Sequence, residues 1–471
     1  MSMQIPKPKR WEKLSLVSVV VGLYWLLAQS GSFSTLLALL PGCLLLGSGM
    51  SLLLVPGNPR IYGYMALGSM IGVVFALVLL FFNPLVALIC GLASAACYFV
   101  AGQISLINEP LHEGAPVPET SALNNIKAAL DEVVLGYFLI SAKVPSGDEA
   151  ERMCEQSFKL EAAFSERGWD HDPSGFHRAP PPPENVRIEQ RRDAGVTHEL
   201  LRWDSGFAPE ETLPGAAMWR SYSANNYCAV RVLRHPGPAR PWLMCIHGFR
   251  MGAPMLDFSL FNPRWLHHRL GLNIIQPVLP LHGMRGVGSR SGDCFLDGDL
   301  VELTYAEAHT LWDLRRTLAW LRQQEERPRV GVYGVSLGGY NAALLAGYES
   351  DLEFVVAGIP VVDFASALYR FMPPAHLRYF AAQGMDEQRY RDMLRAVSPM
   401  TRLPQISKDH LHIFAGAGDR IVLPHHPVQL ARHWGVPVNW FQGSHLSLRY
   451  EPQVGETLRE AMLRADWPVS G

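Results

Sequence analysis

Apolar residues run through positions 14–103 almost without interruption, and Arg60 is the one charged residue among them. An apolar helix needs about 20 residues to cross the ~30 Å hydrocarbon core of a bilayer. Polar and proline breaks divide the stretch into about four such pieces, at 14–28, 34–55, 61–82 and 84–101. None has a recurring polar face, so the pattern is that of helices surrounded by lipid. Residues 1–103 are therefore expected to form an all-α membrane anchor of about four transmembrane helices. The pattern then changes. Positions 122–141 and 148–167 carry apolar residues three and four apart, the spacing of amphipathic helices. Leu123, Ile126, Leu130, Val133 and Tyr137 share one face of the first, and the scarcity of Lys and Arg opposite them predicts that the stripe is core. Four prolines at 180–183 make a stiff spacer that closes a helical connector over 104–183.

From 184 to 471 strands and helices alternate. Two-residue alternation over 186–191, 196–203 and 227–233 predicts antiparallel strands. Apolar runs near 242–247, 273–278, 329–334, 353–359, 410–416 and 437–441 predict buried strands, separated by helical stretches at 306–324, 338–347, 427–433 and 455–465. Such an order belongs to an α/β fold with a doubly wound, mostly parallel sheet. A stretch at about 364–404 interrupts it and contains Tyr369, Phe371, Met372, Tyr379 and Phe380.

Charge and composition narrow the possibilities. A net charge of −2 leaves no electrostatic footprint for nucleic acid. Seven scattered cysteines predict neither a disulfide framework nor a zinc site, and they suit a reducing compartment. His282, Asp293, Asp297 and Asp299 match no metal-ligand spacing, so no metal and no cofactor is expected. Basic residues mark the cytoplasmic side of membrane proteins. Lys7, Lys9, Arg10 and Lys13 precede the first apolar segment and Arg60 lies between the second and third, which with four crossings puts the catalytic domain on the cytoplasmic side. No acid, base or histidine lies within the spans, so they are read as an anchor and not as a transport path. Oligomeric state has no signature in the sequence.

The chemistry is carried by three short segments. Gly334-Val335-Ser336-Leu337-Gly338 follows the apolar run 330–333, where small flanking residues let a strained turn expose a serine between strand and helix. Asp419 follows the apolar run at 411–416 in a glycine-rich loop, and His445 follows 439–441 in a loop of small residues. Serine needs an imidazole to take its proton, and the imidazole needs a carboxylate to hold its tautomer and stabilise its cation. The three occur in the order Ser336, Asp419, His445, each just past a predicted strand.

In these motifs and their order the chain resembles the α/β-hydrolase superfamily, over roughly its C-terminal half from about Tyr222. The resemblance implies a catalytic triad of Ser336, Asp419 and His445. It also implies a structural His247-Gly248 turn and an oxyanion hole made by the backbone N–H groups of Phe249 and Leu337. Asp363 is the rival acid, because some relatives place the carboxylate one strand earlier. In this family the 364–404 insert is a lid, and a serine nucleophile points to acyl transfer to water. With a membrane anchor and aromatic residues such as Phe371 over the site, a lipid or other hydrophobic ester is the expected substrate. Arg285 and Arg290 are placed either to bind a substrate carboxylate or phosphate or to pair with nearby aspartates. A serine peptidase or amidase of the same fold and a non-catalytic membrane scaffold are the alternatives.

Overall fold

A computed structural model describes residues 11–468; Lys7, Lys9 and Arg10, invoked above for orientation, lie outside the described residues. The chain divides into two compact units. One comprises Met1–Ala142, Gly416–His425 and Trp440–Glu451; the other comprises Lys143–Ala415, His426–Asn439 and Pro452–Gly471. This division does not follow the expected boundaries at 103 and 183. It assigns the loops bearing Asp419 and His445 to the N-terminal helical unit, for reasons given by the polar contacts below.

The helical unit contains α1 (Leu16–Leu27), α2 (Ser32–Leu54), α3 (Pro59–Leu79), α4 (Pro84–Asn108) and α5 (Ala122–Ser141). Asn58 and Asn83 cap α3 and α4 through their side chains, each just before a proline in the first turn, where a missing N–H costs nothing. α2, α3 and α4 are long and apolar enough to cross a membrane. The first expected span is not. Only 12 residues of it are α-helical, about 18 Å at 1.5 Å per residue, well short of the hydrocarbon core. Among the described residues three helices are thus long and apolar enough to cross a membrane, where about four spans were expected.

A second expectation is reversed in α5. Leu123, Ile126, Leu130 and Tyr137 are exposed and Val133 is half-buried, while Asn124, Asn125, Asp131 and Glu132 are buried. α5 packs against α3 and α4. Polar and small groups of α5 thus face inward and apolar ones outward, the opposite of a helix on a water-soluble core.

The other unit is built on the sheet. Its strands are β1 (Arg187–Asp193), β2 (Val196–Asp204), β3 (Tyr227–Leu233), β4 (Trp242–Ile246), β5 (Asn273–Pro277), β6 (Val330–Val335), β7 (Phe354–Gly358), β8 (Leu411–Gly416) and β9 (Val438–Phe441), in spatial order β1-β2-β3-β5-β4-β6-β7-β8-β9. β1 to β3 and the β3–β5 pair are antiparallel, while β5–β4, β4–β6, β6–β7 and β7–β8 are parallel. Every residue of β4 to β8 is buried, as expected for strands covered on both faces. This is the mostly parallel α/β-hydrolase sheet anticipated from the alternation. Ile246 pairs with Gly334, so the turns after β4 and β6 emerge side by side. Helices Phe364–Phe371, Pro374–Ala382 and Glu387–Met393 fill the insert after β7.

Candidate active site

Ser336 occupies the turn between β6 and the helix Leu337–Ala346 with φ 60° and ψ −116°, a conformation that costs a non-glycine residue free energy. The turn is held at both ends. The Ser336 N–H donates to Gly358 (2.9 Å), and its carbonyl accepts from the Tyr340 N–H (3.1 Å). A Cβ at 334 would run into the carbonyl of Gly338, and one at 338 into the carbonyl of Ile246, so both glycines are needed for close backbone approach. In the stretch 331–340, Ser336 alone is not fully buried. Gly248 lies beside it, since a Cβ there would sit 3.5 Å from Ser336 Cβ. His247 is buried and structural, bridging the chain through Nδ1 to the Gly248 carbonyl (2.9 Å) and through Nε2 to the Leu279 N–H (3.1 Å). Phe249 is half-exposed with the Arg250 guanidinium over its ring, and Leu337 opens the helix, where its N–H has no intrahelical acceptor.

Asp419 and His445 meet in the helical unit. Their loops are laced together, with the Ala417 N–H donating to Phe441 (2.8 Å) and the Gly418 N–H to Gly443 (3.0 Å). Asp419 Oδ1 accepts from the N–H groups of Ile421 (2.9 Å) and Val422 (2.8 Å). Its Oδ2 accepts from His445 Nδ1 at 2.7 Å, with both side chains buried. A carboxylate only accepts, so the imidazole proton is on Nδ1 and Nε2 is the basic nitrogen.

Two participants were not anticipated. Asp131 of α5 is fully buried and receives four donors: Oδ1 from the Ser444 hydroxyl (3.0 Å) and the Leu446 N–H (3.1 Å), Oδ2 from the N–H groups of His445 (2.8 Å) and Arg420 (3.0 Å). Arg420, also buried, donates to Glu109 (2.6 Å) at the end of α4 and to Glu132 (3.3 Å) of α5. Burial, then the neighbouring charge of Asp419, pushes the Asp131 carboxyl up to about 6, against the pull of His445 and the backbone donors. Burial alone would lower the pKa of His445. The Asp419 charge and hydrogen bond, then Asp131, overturn this and raise it above its ordinary 6.5. The sequence carries no signal that singles out Asp131. Asn124, Asn125, Asp131 and Glu132 fall on one helical face opposite the apolar stripe, the pattern of an ordinary water-facing side.

Other expected site residues have different occupations. Arg285 is fully buried, donating to the carbonyls of Val278 (2.9 Å) and Asn225 (3.3 Å) and paired with Asp313 (2.8 Å), so it is withdrawn from the set of substrate contacts. Arg290 is half-exposed and its N–H donates to Asp293 (3.0 Å). Asp363 caps the helix Phe364–Phe371 and pairs with Arg391 (2.8 Å), whereas Asp419 is the carboxylate bonded to the imidazole of His445. In the insert Phe371 and Tyr379 are half-exposed, whereas Met372 and Phe380 are buried.

Residues 309–455, which include Ser336, Asp419 and His445, match the prolyl oligopeptidase family. An uncharacterized protein of Mycobacterium tuberculosis is 36% identical over 332 residues, covering 70% of this chain and 79% of that protein, and a second strain gives the same values. Among solved structures, acetyl xylan esterase 1 from a Thermoanaerobacterium species aligns with a TM-score of 0.45 at 12% identity, over 70% of this chain and 98% of that one. The acylaminoacyl peptidase of Pyrococcus horikoshii aligns with a TM-score of 0.36 at 13% identity, over 60% and 47%.

Proposed function

The chain belongs to the α/β-hydrolase superfamily, a serine hydrolase of one family with the M. tuberculosis protein, and from that premise we propose that it is a membrane-anchored enzyme cleaving a carboxylic ester of a lipid or other hydrophobic acyl compound. Ser336 Oγ attacks the acyl carbon, His445 Nε2 takes the hydroxyl proton and returns it to the leaving alcohol, and Asp419 orients the imidazole. The backbone N–H groups of Phe249 and Leu337 stabilise the oxyanion, each worth about 3–4 kcal/mol. Water then hydrolyses the acyl-enzyme by the same proton route. The observation that carries this reading is the buried 2.7 Å bond from His445 Nδ1 to Asp419, which leaves Nε2 as a base. Three helices of spanning length and the half-exposed Phe371 and Tyr379 of the insert support a hydrophobic substrate met at a membrane.

The family match over 309–455 favours a second reading, a peptidase or amidase using the same residues. A fluorophosphonate should label the full chain in membranes, with labelling lost in Ser336→Ala and strongly reduced in His445→Ala. A panel of acyl esters against peptide amides then separates the two readings, with long-chain esters expected to turn over fastest. A folded chain that takes no label and turns over neither class would be the non-catalytic scaffold.

A further inference from the structure

We propose that α5 serves two surfaces at once: its outer face lies against bilayer lipid, and its inner face, through Asp131, positions the two loops that carry Asp419 and His445. The second half rests on the proposed triad; the first does not.

The outer face is apolar along its whole length. Leu123, Ile126, Leu130, Tyr137 and Ile140 are all exposed, at intervals of one or two helical turns along one face. The charged residues of α5 are spent elsewhere. Lys127 pairs with Glu451 (2.6 Å), Glu132 accepts from Arg420, and Asp131 meets the catalytic loops. The position of the helix names lipid as the occupant. Gly136 packs on Gly63 near the start of α3, and Asn125 and Ala129 pack on Gly102 near the end of α4. Both contacts fall within about two helical turns of those ends, inside the segments of α3 and α4 that are long and apolar enough to cross a membrane. The stripe also continues the outward surface of α4, which runs from exposed Leu85, Leu88 and Leu92 to half-exposed Tyr98, whose hydroxyl donates to the Ile126 carbonyl (3.3 Å). An apolar face that prolongs a lipid-facing one meets the same solvent.

The inner face rests on hydrogen-bond arithmetic. A carboxylate accepts at both oxygens, and Asp131 uses each of them twice. Three of the four donors are the backbone N–H groups of Arg420, His445 and Leu446, so one side chain fixes both loops at the residues that follow or bear the catalytic groups. Asparagine cannot replace it. Whichever way its amide turns, an NH2 group faces a backbone N–H. The charged and titratable groups around Asp131 are Asp419, Arg420 and His445 from the two loops, Lys127 and Glu132 from its own helix, Glu109 and Tyr98 from α4, and Glu451 beyond Lys127.

The full chain in phosphatidylcholine nanodiscs tests both halves. With a diazirine-bearing phosphatidylcholine, photoadducts are expected on Ile126, Leu130 and Tyr137 at levels comparable to Leu88 and Leu92 of α4, and at least about tenfold above Glu149, an exposed residue of the helix Asp148–Glu166. Adducts on α4 with none on α5 overturn the lipid half. Adducts on neither overturn it together with the membrane anchorage. For the inner half, fluorophosphonate labelling is followed from pH 5 to 9. Asp131→Asn is expected to slow the plateau by at least about tenfold and to move the acid midpoint down, because a negative charge that favours the imidazolium is gone. An unchanged profile overturns the proposal, and so does a lower plateau at an unmoved midpoint, which a merely structural residue would give. Should Asp131→Asn fail to fold, Ser444→Ala removes one donor of the four, and labelling is expected to slow by about two- to fivefold. Wild-type rates in that variant count against the positioning role. Absence of labelling in folded wild-type chain would instead sink the triad reading, before any variant is made.

Discussion

α5 and the helix after it, α6 (Asp148–Glu166), carry the same kind of pattern in the sequence, apolar residues three and four apart, yet the fold turns them opposite ways. α6 buries Ala150, Met153, Cys154, Leu160 and Phe164 and exposes most of its charges, whereas α5 exposes Leu123, Ile126 and Leu130 and buries two carboxylates and two amides. Amphipathic spacing tells that a helix has two faces. The solvent on the far side decides which goes in, and α5 packs on helices long and apolar enough to lie in lipid. The polar groups hidden there then become available for work inside the protein. In the sheet unit buried polar groups such as Arg285 and Asp313 tie loops to the scaffold; in the helical unit Asp131 and Arg420 tie down the loops that carry Asp419 and His445.

The largest expected effect breaks the helical unit's part in the chemistry. Asp419→Asn retains the shape of the loop but offers His445 the wrong tautomer, and kcat is expected to fall by about 10⁴ with fluorophosphonate labelling slowed in parallel. A loss of less than tenfold would show that another carboxylate orients the imidazole. Next in size is Arg420→Met, which takes the buried guanidinium away from Glu109 and Glu132. Breaking a buried pair from one side typically costs about 3–5 kcal/mol, to be read as a lower denaturation midpoint of the full chain in nanodiscs. Removing Arg285 from Asp313 should cost about as much in the sheet unit, and a large inequality would mark one of the two networks as loosely held.

The contrast between α5 and α6 has its own test. Leu160 is 2% exposed and Leu130 38% exposed. Leu160→Ala is expected to destabilise by about 2–5 kcal/mol through lost burial and a residual cavity. Leu130→Ala should stay within about 0.5 kcal/mol in nanodiscs, since it touches little protein. Equal costs would mean that the outer face of α5 packs against protein after all.

Much of the site was legible because its signals are local. Five buried strands, and β9 with only Phe441 buried, announce themselves as apolar runs, the turn at Ser336 by its flanking glycines, and the proposed acid and base by following strands. Asp419 and His445 are 26 positions apart and meet as that order implied. What stayed hidden is non-local or depends on the environment. Asp131 lies about 290 to 315 positions from its partners, and nothing in its own segment names them. Arg285 looks like a loop arginine until Asp313, on a helix that crosses behind it, is seen to claim it.

The smallest expected effect is a shift in pH dependence, and its sign follows from which form of His445 acts. The base must be neutral. Burial favours the neutral imidazole, but the Asp419 carboxylate, its hydrogen bond and the charge of Asp131 favour the cation more, so the pKa lies above 6.5. Labelling and turnover should therefore be low in acid, rise with pH through a midpoint above 6.5 and level off in mild alkali. Burial and the charge of Asp419 push the Asp131 carboxyl up toward the same range, so the two protons leave as a coupled pair and the rise is expected to be broader than a single ionisation. A midpoint below 6 would mean that burial has won over the two carboxylates. The electrostatic account of the helical unit's share in the site would then fail, even with the triad itself intact.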